Sequence, residues 1–356
     1  MMGNKKVLYI DPISSDGHLN FNRIYLTKLL ELNVEISLVF RENYFNGFSL
    51  PEKLLKLSIP NSFYKKDCNG FINRWYMLNI LLFIKRNVDF HEFDIVIFAS
   101  YEEISLFFSR ISNNLILINH NNLSGLNVGI KRFFFKRISN RNTHIVFEQH
   151  MKDRLLSLGI KKVMVIPHGL PASFSSNPLN EKTDMFFYME DLDLSQYKYI
   201  IYSPSGSSVN INLLKQLLEN KNLLTFLKNK QILLIVKSNL YCSKSKNIVI
   251  FSNYLSEVQY RDLFLKSDAI LITYPKSHKF RVSAIFFECM ANKKLCLLSD
   301  IDSFRYYDSF LRFDPYFNNS DELIQCIINF QKLDPEVIKN PYINTERLIP
   351  SFKELL

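Results

Sequence analysis

Short runs of Val, Ile and Leu alternate with helical patterns along nearly the whole chain, and this alternation limits the fold more than any other feature. Residues 7–11, 34–40, 95–99, 115–119, 144–148 and 163–167 read as strands, with helices expected at 20–31, 75–85, 102–111, 128–138 and 151–158. Such short, continuously apolar runs imply parallel strands covered on both faces by helices. A polar interval at 173–196 lacks clear periodicity, and the alternation then restarts. The second set of strands is expected at 199–203, 232–236, 248–251, 269–273 and 295–298, with helices at 211–218, 223–229, 258–266, 283–291, 303–310 and 321–331. The expected fold is therefore α/β: two Rossmann-like, doubly wound domains facing a cleft. Their expected bounds are 1–172 and 197–335, joined by a linker at 173–196 and followed by a tail at 336–356 of helical pattern that packs back on the first domain. A chain of 356 residues is also longer than one domain usually grows.

Hydrophobic residues make up 47% of the chain, enough to fill two cores. The five cysteines are odd in number and contain no CxxC pair, so a reducing compartment is expected and a zinc site is not. Lys5-Lys6 lead straight into a strand, which does not read as a secretory signal. The apolar stretch 77–84 is far shorter than the ~20 residues that span a bilayer. The expected location is the cytoplasm. The net charge of +10 is densest at Lys131, Arg132, Lys136 and Arg137, interleaved with three Phe. Basic residues among aromatics suit the anionic inner face of a cell membrane, and a solvated basic helix face is the other reading. No nucleic-acid-binding motif accompanies them.

The most informative single segment runs from Phe280 to Asp300: a loop, one helix carrying Glu288, and a buried strand ending in Ser299-Asp300. Ser283 and Ala284 fall at the helix N-terminus, where free N–H groups suit an anion, and Glu288 follows about one turn later. This suits a diphosphate at the helix start and a sugar hydroxyl near the carboxylate. An ordinary crossover with a solvated Glu288 is the alternative. The loops 11–18, with Gly17 and His18, and 203–208, with Gly206, are small-residue turns able to bring N–H groups to a phosphate or an acceptor. Neither has the several glycines of a dinucleotide site, so no cofactor is expected. His120 ends a strong strand, as a functional group or as a capping residue. Asp191 and Asp193 lie in the linker interval, not at a strand end, and no metal site is expected.

Val165-Ile166-Pro167-His168-Gly169-Leu170-Pro171 resembles the V-I-P-N-G-V turn that closes the first domain of GT-B glycosyltransferases. Glu288-Cys289-Met290-Ala291-Asn292-Lys293-Lys294, with Ser299-Asp300, resembles their donor segment E-A-M-A-x-G-K-P-V-x-x-S-D, and Ser267-Asp268-Ala269 resembles the A-D-x before it. The order of motifs is most similar to the retaining, family-4-type enzymes and covers nearly the whole chain. The resemblance implies sugar transfer from a nucleotide-diphosphate donor to a glycan or lipid-linked acceptor, in bacterial surface-polysaccharide synthesis. It implies that Glu288 binds the nucleotide ribose, that Lys237 and Arg281 face the phosphates, and that His120 lies near the transferred sugar. An Asn usually stands where His168 is. The sequence departs from the pattern at Phe280, where the family commonly has a first glutamate, and at Arg281-Val282-Ser283, where it has a glycine-rich turn. A nucleotide-sugar 2-epimerase of the same fold and a non-catalytic GT-B-like binding subunit are the alternatives.

Overall fold

Val7, Leu8, Tyr9 and Ile10 are fully buried, so the first strand is covered on both faces, as its unbroken apolar run requires. The structure, a computed structural model, describes residues 5–44, 54–64, 70–111, 114–127, 129–174, 194–204, 210–238, 244–253 and 255–355. Two units separate: Met1–Gly169 with Phe280–Val282 and Arg347–Leu356, and Leu170–Lys279 with Ser283–Glu346. Most of the expected linker interval, and Asp191 and Asp193 with it, lies outside the described residues.

The first unit alternates β1 (Lys6–Ile10), α1 (Leu19–Leu30), β2 (Glu35–Arg41), β3 (Leu55–Ile59), α2 (Phe71–Asn87), β4 (Ile95–Phe98), α3 (Glu103–Ser109), β5 (Leu115–Ile118), α4 (Gly129–Ser139), β6 (Thr143–Val146), α5 (Gln149–Ser157) and β7 (Val163–Val165). Its seven strands are parallel and ordered β3-β2-β1-β4-β5-β6-β7. The order reverses between β1 and β4, the switch point at which an open sheet leaves a crevice. Right-handed crossovers then place α1 on one face and α2 to α5 on the other; α2 packs on α3, and α3 on α4. The strand β3 is not among the expected strands, although Leu55, Leu57 and Ile59 alternate with Lys56 and Ser58 in the period-two pattern of an edge strand exposed on one side.

Residues after Arg347 complete this unit. Phe352 is buried edge-on against Tyr25, centroids 5.0 Å apart, and the Tyr25 hydroxyl donates to the carbonyls of Ile166 and Pro167, each at 3.0 Å. Gly169 has φ +86, and a Cβ there would stand 2.6 Å from Ile24 Cγ2 and 3.0 Å from Pro350 Cγ. No other residue fits that turn without displacing both neighbours. The tail of helical pattern is not one helix: Pro341 and Pro350 interrupt it, leaving Pro335–Lys339 helical and a 3-10 turn at Thr345–Leu348.

The second unit contains β8 (Tyr199–Ser203), α6 (Ile211–Glu219), α7 (Lys221–Asn229), β9 (Ile232–Lys237), β10 (Lys244–Ser245), β11 (Ile248–Phe251), α8 (Glu257–Lys266), β12 (Ala269–Ile272), α9 (Ala284–Ala291), β13 (Leu295–Ser299), α10 (Asp302–Arg305), β14 (Tyr316–Phe317), α11 (Ser320–Phe330) and α12 (Pro335–Lys339). The sheet order is β10-β11-β9-β8-β12-β13-β14, parallel except for the edge strand β10. Leu214, Leu217, Leu227, Leu323 and Ile327 from α6, α7 and α11 share one core on one face. The expected helix at 303–310 breaks after Arg305 into a separate 3-10 turn, Asp308–Phe310. The second switch point lies between β8 and β12.

Candidate active site

In the first unit the polar groups gather where the sheet order reverses. Asp11 follows β1 directly and is fully buried. Its carboxylate accepts from the N–H groups of Ser14 (2.9 Å) and Ile13 (3.2 Å), from the amide of Asn22 (2.7 Å) and from the hydroxyl of Ser100, which follows β4. His18 Nδ1 stands 3.4 Å from the second carboxylate oxygen. Burial by itself raises the carboxyl pKa, but the bond to His18 and its charge, with the Ser100 and Ser14 donors, outweigh it and bring the group to about 2. Asn22 is fixed in turn, accepting from Tyr9 Oη (2.7 Å) and donating to Tyr44 Oη (3.1 Å).

His18, at the end of a 3-10 turn before α1, stacks on His120, which follows β5; the ring centroids are 4.6 Å apart and the planes 16° from parallel. Phe21 meets His120 edge-on at 4.4 Å and His168 at 5.0 Å, so three of the seven histidines share one aromatic cluster. His120 keeps part of its ring exposed, whereas its Nε2 is buried and has no hydrogen-bond partner among the described residues. Burial, then His18 and His168, holds its pKa well below the usual histidine range. Burial likewise brings His168 to about 4. His168 Nδ1 lies 3.1 Å from the Gly169 carbonyl, inside the turn that resembles the domain-closing V-I-P-N-G-V.

In the second unit Ser283 caps α9, accepting from the Phe286 N–H at 3.2 Å, and donates its hydroxyl to Tyr274 Oη at 3.2 Å. Ala284 is the first residue of the helix. Glu288 is buried, which removes the reading of a solvated helix residue. Its carboxyl accepts from Tyr260 Oη of α8. Tyr202 of β8 feels its charge, and the Tyr202 hydroxyl is buried with no hydrogen-bond partner among the described residues. Burial raises the Glu288 carboxyl to about 7 against the opposing influence of Tyr260 and Arg261. A polar cavity of about 280 Å³ opens at the carboxyl ends of β12, β13 and β14, lined by Asn210, Gln216, Tyr274, Lys276, Ser299 and Asp300. It places the Ser-Asp end of the donor-like segment on a cavity wall.

The remaining expected residues scatter. Lys237 ends β9, half-buried. Arg281 groups with the first unit, where its Nε donates to Ser124 Oγ at 3.0 Å. Phe280 stacks on His150 at 6.0 Å beneath the Arg154 guanidinium. Gly17 is exposed beside His18. Gly206 lies outside the described residues. Lys131 is tied inward, 3.3 Å from Glu103 and donating to the Ser124 carbonyl at 2.7 Å, whereas Arg132 and Arg137 are exposed and Lys136 is half-buried. Sequence reading missed Asp11, Asn22, Ser100, Tyr202 and Tyr260. For Asp11 a signal existed: an acid directly after the first buried strand, where open sheets hold ligands. Among the described residues no three His, Cys, Asp or Glu side chains are grouped to hold a metal ion, and no helix is long and apolar enough to cross a membrane.

No family model and no curated protein matches the chain. Solved structures do. An Anabaena protein, HepE, in complex with UDP-glucose is 12% identical with a TM-score of 0.58, covering 97% of this chain and 94% of its own. A glycosyltransferase from Rickettsia africae is 16% identical with a TM-score of 0.59, covering 97% and 92%. The fold is GT-B. The UDP-GlcNAc 2-epimerase of Neisseria meningitidis bound to UDP-GlcNAc, 14% identical with a TM-score of 0.58 over 97% and 98%, shares it. The two-domain GT-B architecture expected from the sequence is therefore borne out, and its likeness extends equally to transferases and epimerases.

Proposed function

We propose that the chain transfers a sugar from a nucleoside-diphosphate donor to a hydroxyl of a glycan or lipid-linked acceptor, in surface-polysaccharide synthesis at the inner face of the cell membrane. The observation that carries this reading is the Asp11, His18 and His120 group at the switch point of the first sheet. A carboxylate beside His18 Nδ1 keeps a proton on that nitrogen and leaves Nε2 to accept a hydrogen bond from an acceptor hydroxyl. His120, neutral near pH 7, stacks on His18 and lies beside the transferred sugar. The donor takes the second unit: Ser283 and Ala284 at the α9 start, with Gly206 and Lys237, meet the diphosphate, and Glu288 meets the ribose. Arg281 adds positive charge toward the leaving group. Transfer with retention and without a bound metal follows from the family-4-type resemblance of the Glu288 segment.

The test is a thermal-shift screen of the purified chain against UDP-, GDP-, CMP- and dTDP-sugars, since a ligand of the native state raises apparent stability. One donor class should stabilise the protein. His18→Ala and His120→Ala should then cost roughly 10²- to 10⁴-fold in turnover while the donor-induced shift persists. A flat screen with every nucleotide sugar and every nucleoside diphosphate sinks the reading, and the anomeric configuration of the product by NMR tests retention. Asp11 also favours a second reading. A 2-epimerase needs a carboxylate near the sugar in the first domain, and Asp11, fully buried, is the acid that stands behind His18 there. Inversion at C2 of a donor sugar incubated without any acceptor would decide for it.

A further inference from the structure

The helices α2, α3 and α4 pack side by side and turn an unusual surface outward. Of the thirteen large hydrophobic residues exposed among the described residues, seven lie here: Phe71, Ile72 and Trp75 on α2, Phe107 and Phe108 on α3, and Ile130 and Phe133 on α4. Trp75 is 56% exposed and Phe71 77%. The rings of Phe107, Phe108 and Phe133 all meet Phe134, at 5.0, 5.5 and 5.3 Å, so α3 and α4 present one aromatic strip. Patches of this kind on a protein surface mark an interaction site.

The charge around the strip has one sign. Neither α2 nor α4 contains an Asp or Glu, while together they carry Arg74, Lys85, Arg86, Lys131, Arg132, Lys136 and Arg137. The two acids at the start of α3 are already engaged, Glu102 by Arg74 Nε at 3.1 Å and Glu103 by Lys131 at 3.3 Å. Two cavities open at the carboxyl ends of α3 and α4. One, of about 370 Å³, is lined by Arg110, Arg137 and Arg141; the other, of about 480 Å³, by Lys136, Lys161 and Lys162. They share Asn140, and neither has an acidic residue in its wall. Aromatic side chains that sit at a water–lipid boundary, flanked by cations at phosphate depth, match an anionic bilayer on both counts.

We propose that the outer side of α2, α3 and α4 docks on an anionic phospholipid bilayer, with Trp75 and its apolar neighbours among the lipids and the two cationic cavities taking headgroup phosphates. The proposal rests on the membrane part of the reading above and not on its chemistry. It also moves the contact away from the basic run alone, since Lys131 is spent inside the fold and α2 supplies the aromatic anchor.

The chain has a single tryptophan, so its emission reports this face and no other. Vesicles of phosphatidylglycerol and phosphatidylcholine should shift Trp75 emission to the blue, and brominated acyl chains should quench it; vesicles of phosphatidylcholine alone should do neither. Each basic side chain near an anionic surface contributes about a factor of five. The double variant Lys136→Glu, Arg137→Glu should therefore bind the anionic vesicles at least about tenfold more weakly. Phe108→Ser should weaken binding with the charge intact, and melting curves of each variant establish that it is folded. Anionic vesicles that leave the protein in solution overturn the proposal, as do vesicles that carry it down without moving Trp75 emission, because another face is then in contact. A preparation that binds a nucleotide sugar but no vesicle defeats this inference alone and leaves the transferase reading standing.

Discussion

Asp11 and Glu288 are both buried carboxyls, one near the switch point of each sheet, yet one is held at about 2 and the other at about 7. Burial pushes both upward, so burial cannot be what separates them. The difference lies in the donors. Asp11 meets two backbone N–H groups, a hydroxyl, an amide and His18, gathered by a loop that turns back over the end of its strand. Glu288, on a helix face, meets the Tyr260 hydroxyl, with Arg261 acting from farther off. Two sheets of the same winding thus offer opposite environments to an acid: a strand end surrounds it with donors, and a helix flank surrounds it with rings.

The largest effect should come from Asp11→Ala, which leaves several inward-pointing donors without their acceptor. A loss on the order of 3–5 kcal/mol is expected in urea unfolding at neutral pH; a loss below 1 kcal/mol would mean that the donors find other partners and that the contrast is superficial. The pH windows of the two acids then run in opposite directions. Asp11 has a folded value below its ordinary 3.8, so its contribution is present above pH 3.8 and disappears as pH falls through about 2. Glu288 has a folded value above its ordinary 4.5, so the protein is favoured below pH 4.5 and loses stability as pH rises toward about 7. That second loss is on the order of 3 kcal/mol. Glu288→Gln should remove it, flattening stability between pH 4.5 and 7 in chemical unfolding; an unchanged slope would show that another group titrates there. The smallest effect sharpens the cause. Tyr260→Phe takes away the hydroxyl that lowers the Glu288 value, so the carboxyl should titrate above 7 when followed by infrared difference spectra. An unmoved value would show that Tyr260 acts as a wall and not as a donor.

Much of the architecture was legible because strand and helix periods are local. The run from Leu8 to Ile10 and the capped segment from Ser283 onward signal their elements within a few residues. The site was less legible because its bonds are not local. Ser100 reaches Asp11 across 89 positions, and Tyr260 reaches Glu288 across 28. Nothing near Glu288 in sequence says that tyrosines from α8 and β8 will enclose it. The α2 pattern misled in a different way: its apolar residues fill both the core side, as with Ile80 and Ile84, and the outer side, as with Trp75, so periodicity alone could not say which aromatics face solvent.

Phe352, seated on Tyr25 in the first unit, has a consequence for how the protein is made. The first unit is interrupted between Gly169 and Arg347 by almost the whole of the second. On a ribosome adding roughly 5–20 residues per second, the stretch between those positions takes on the order of 10–35 s to emerge. For that interval Tyr25 of α1 lacks Phe352, the ring that packs edge-on against it. The second unit, whose described strands and helices all come before Arg347, can close first. The half that begins the chain is therefore the half whose last residues arrive after the other is complete.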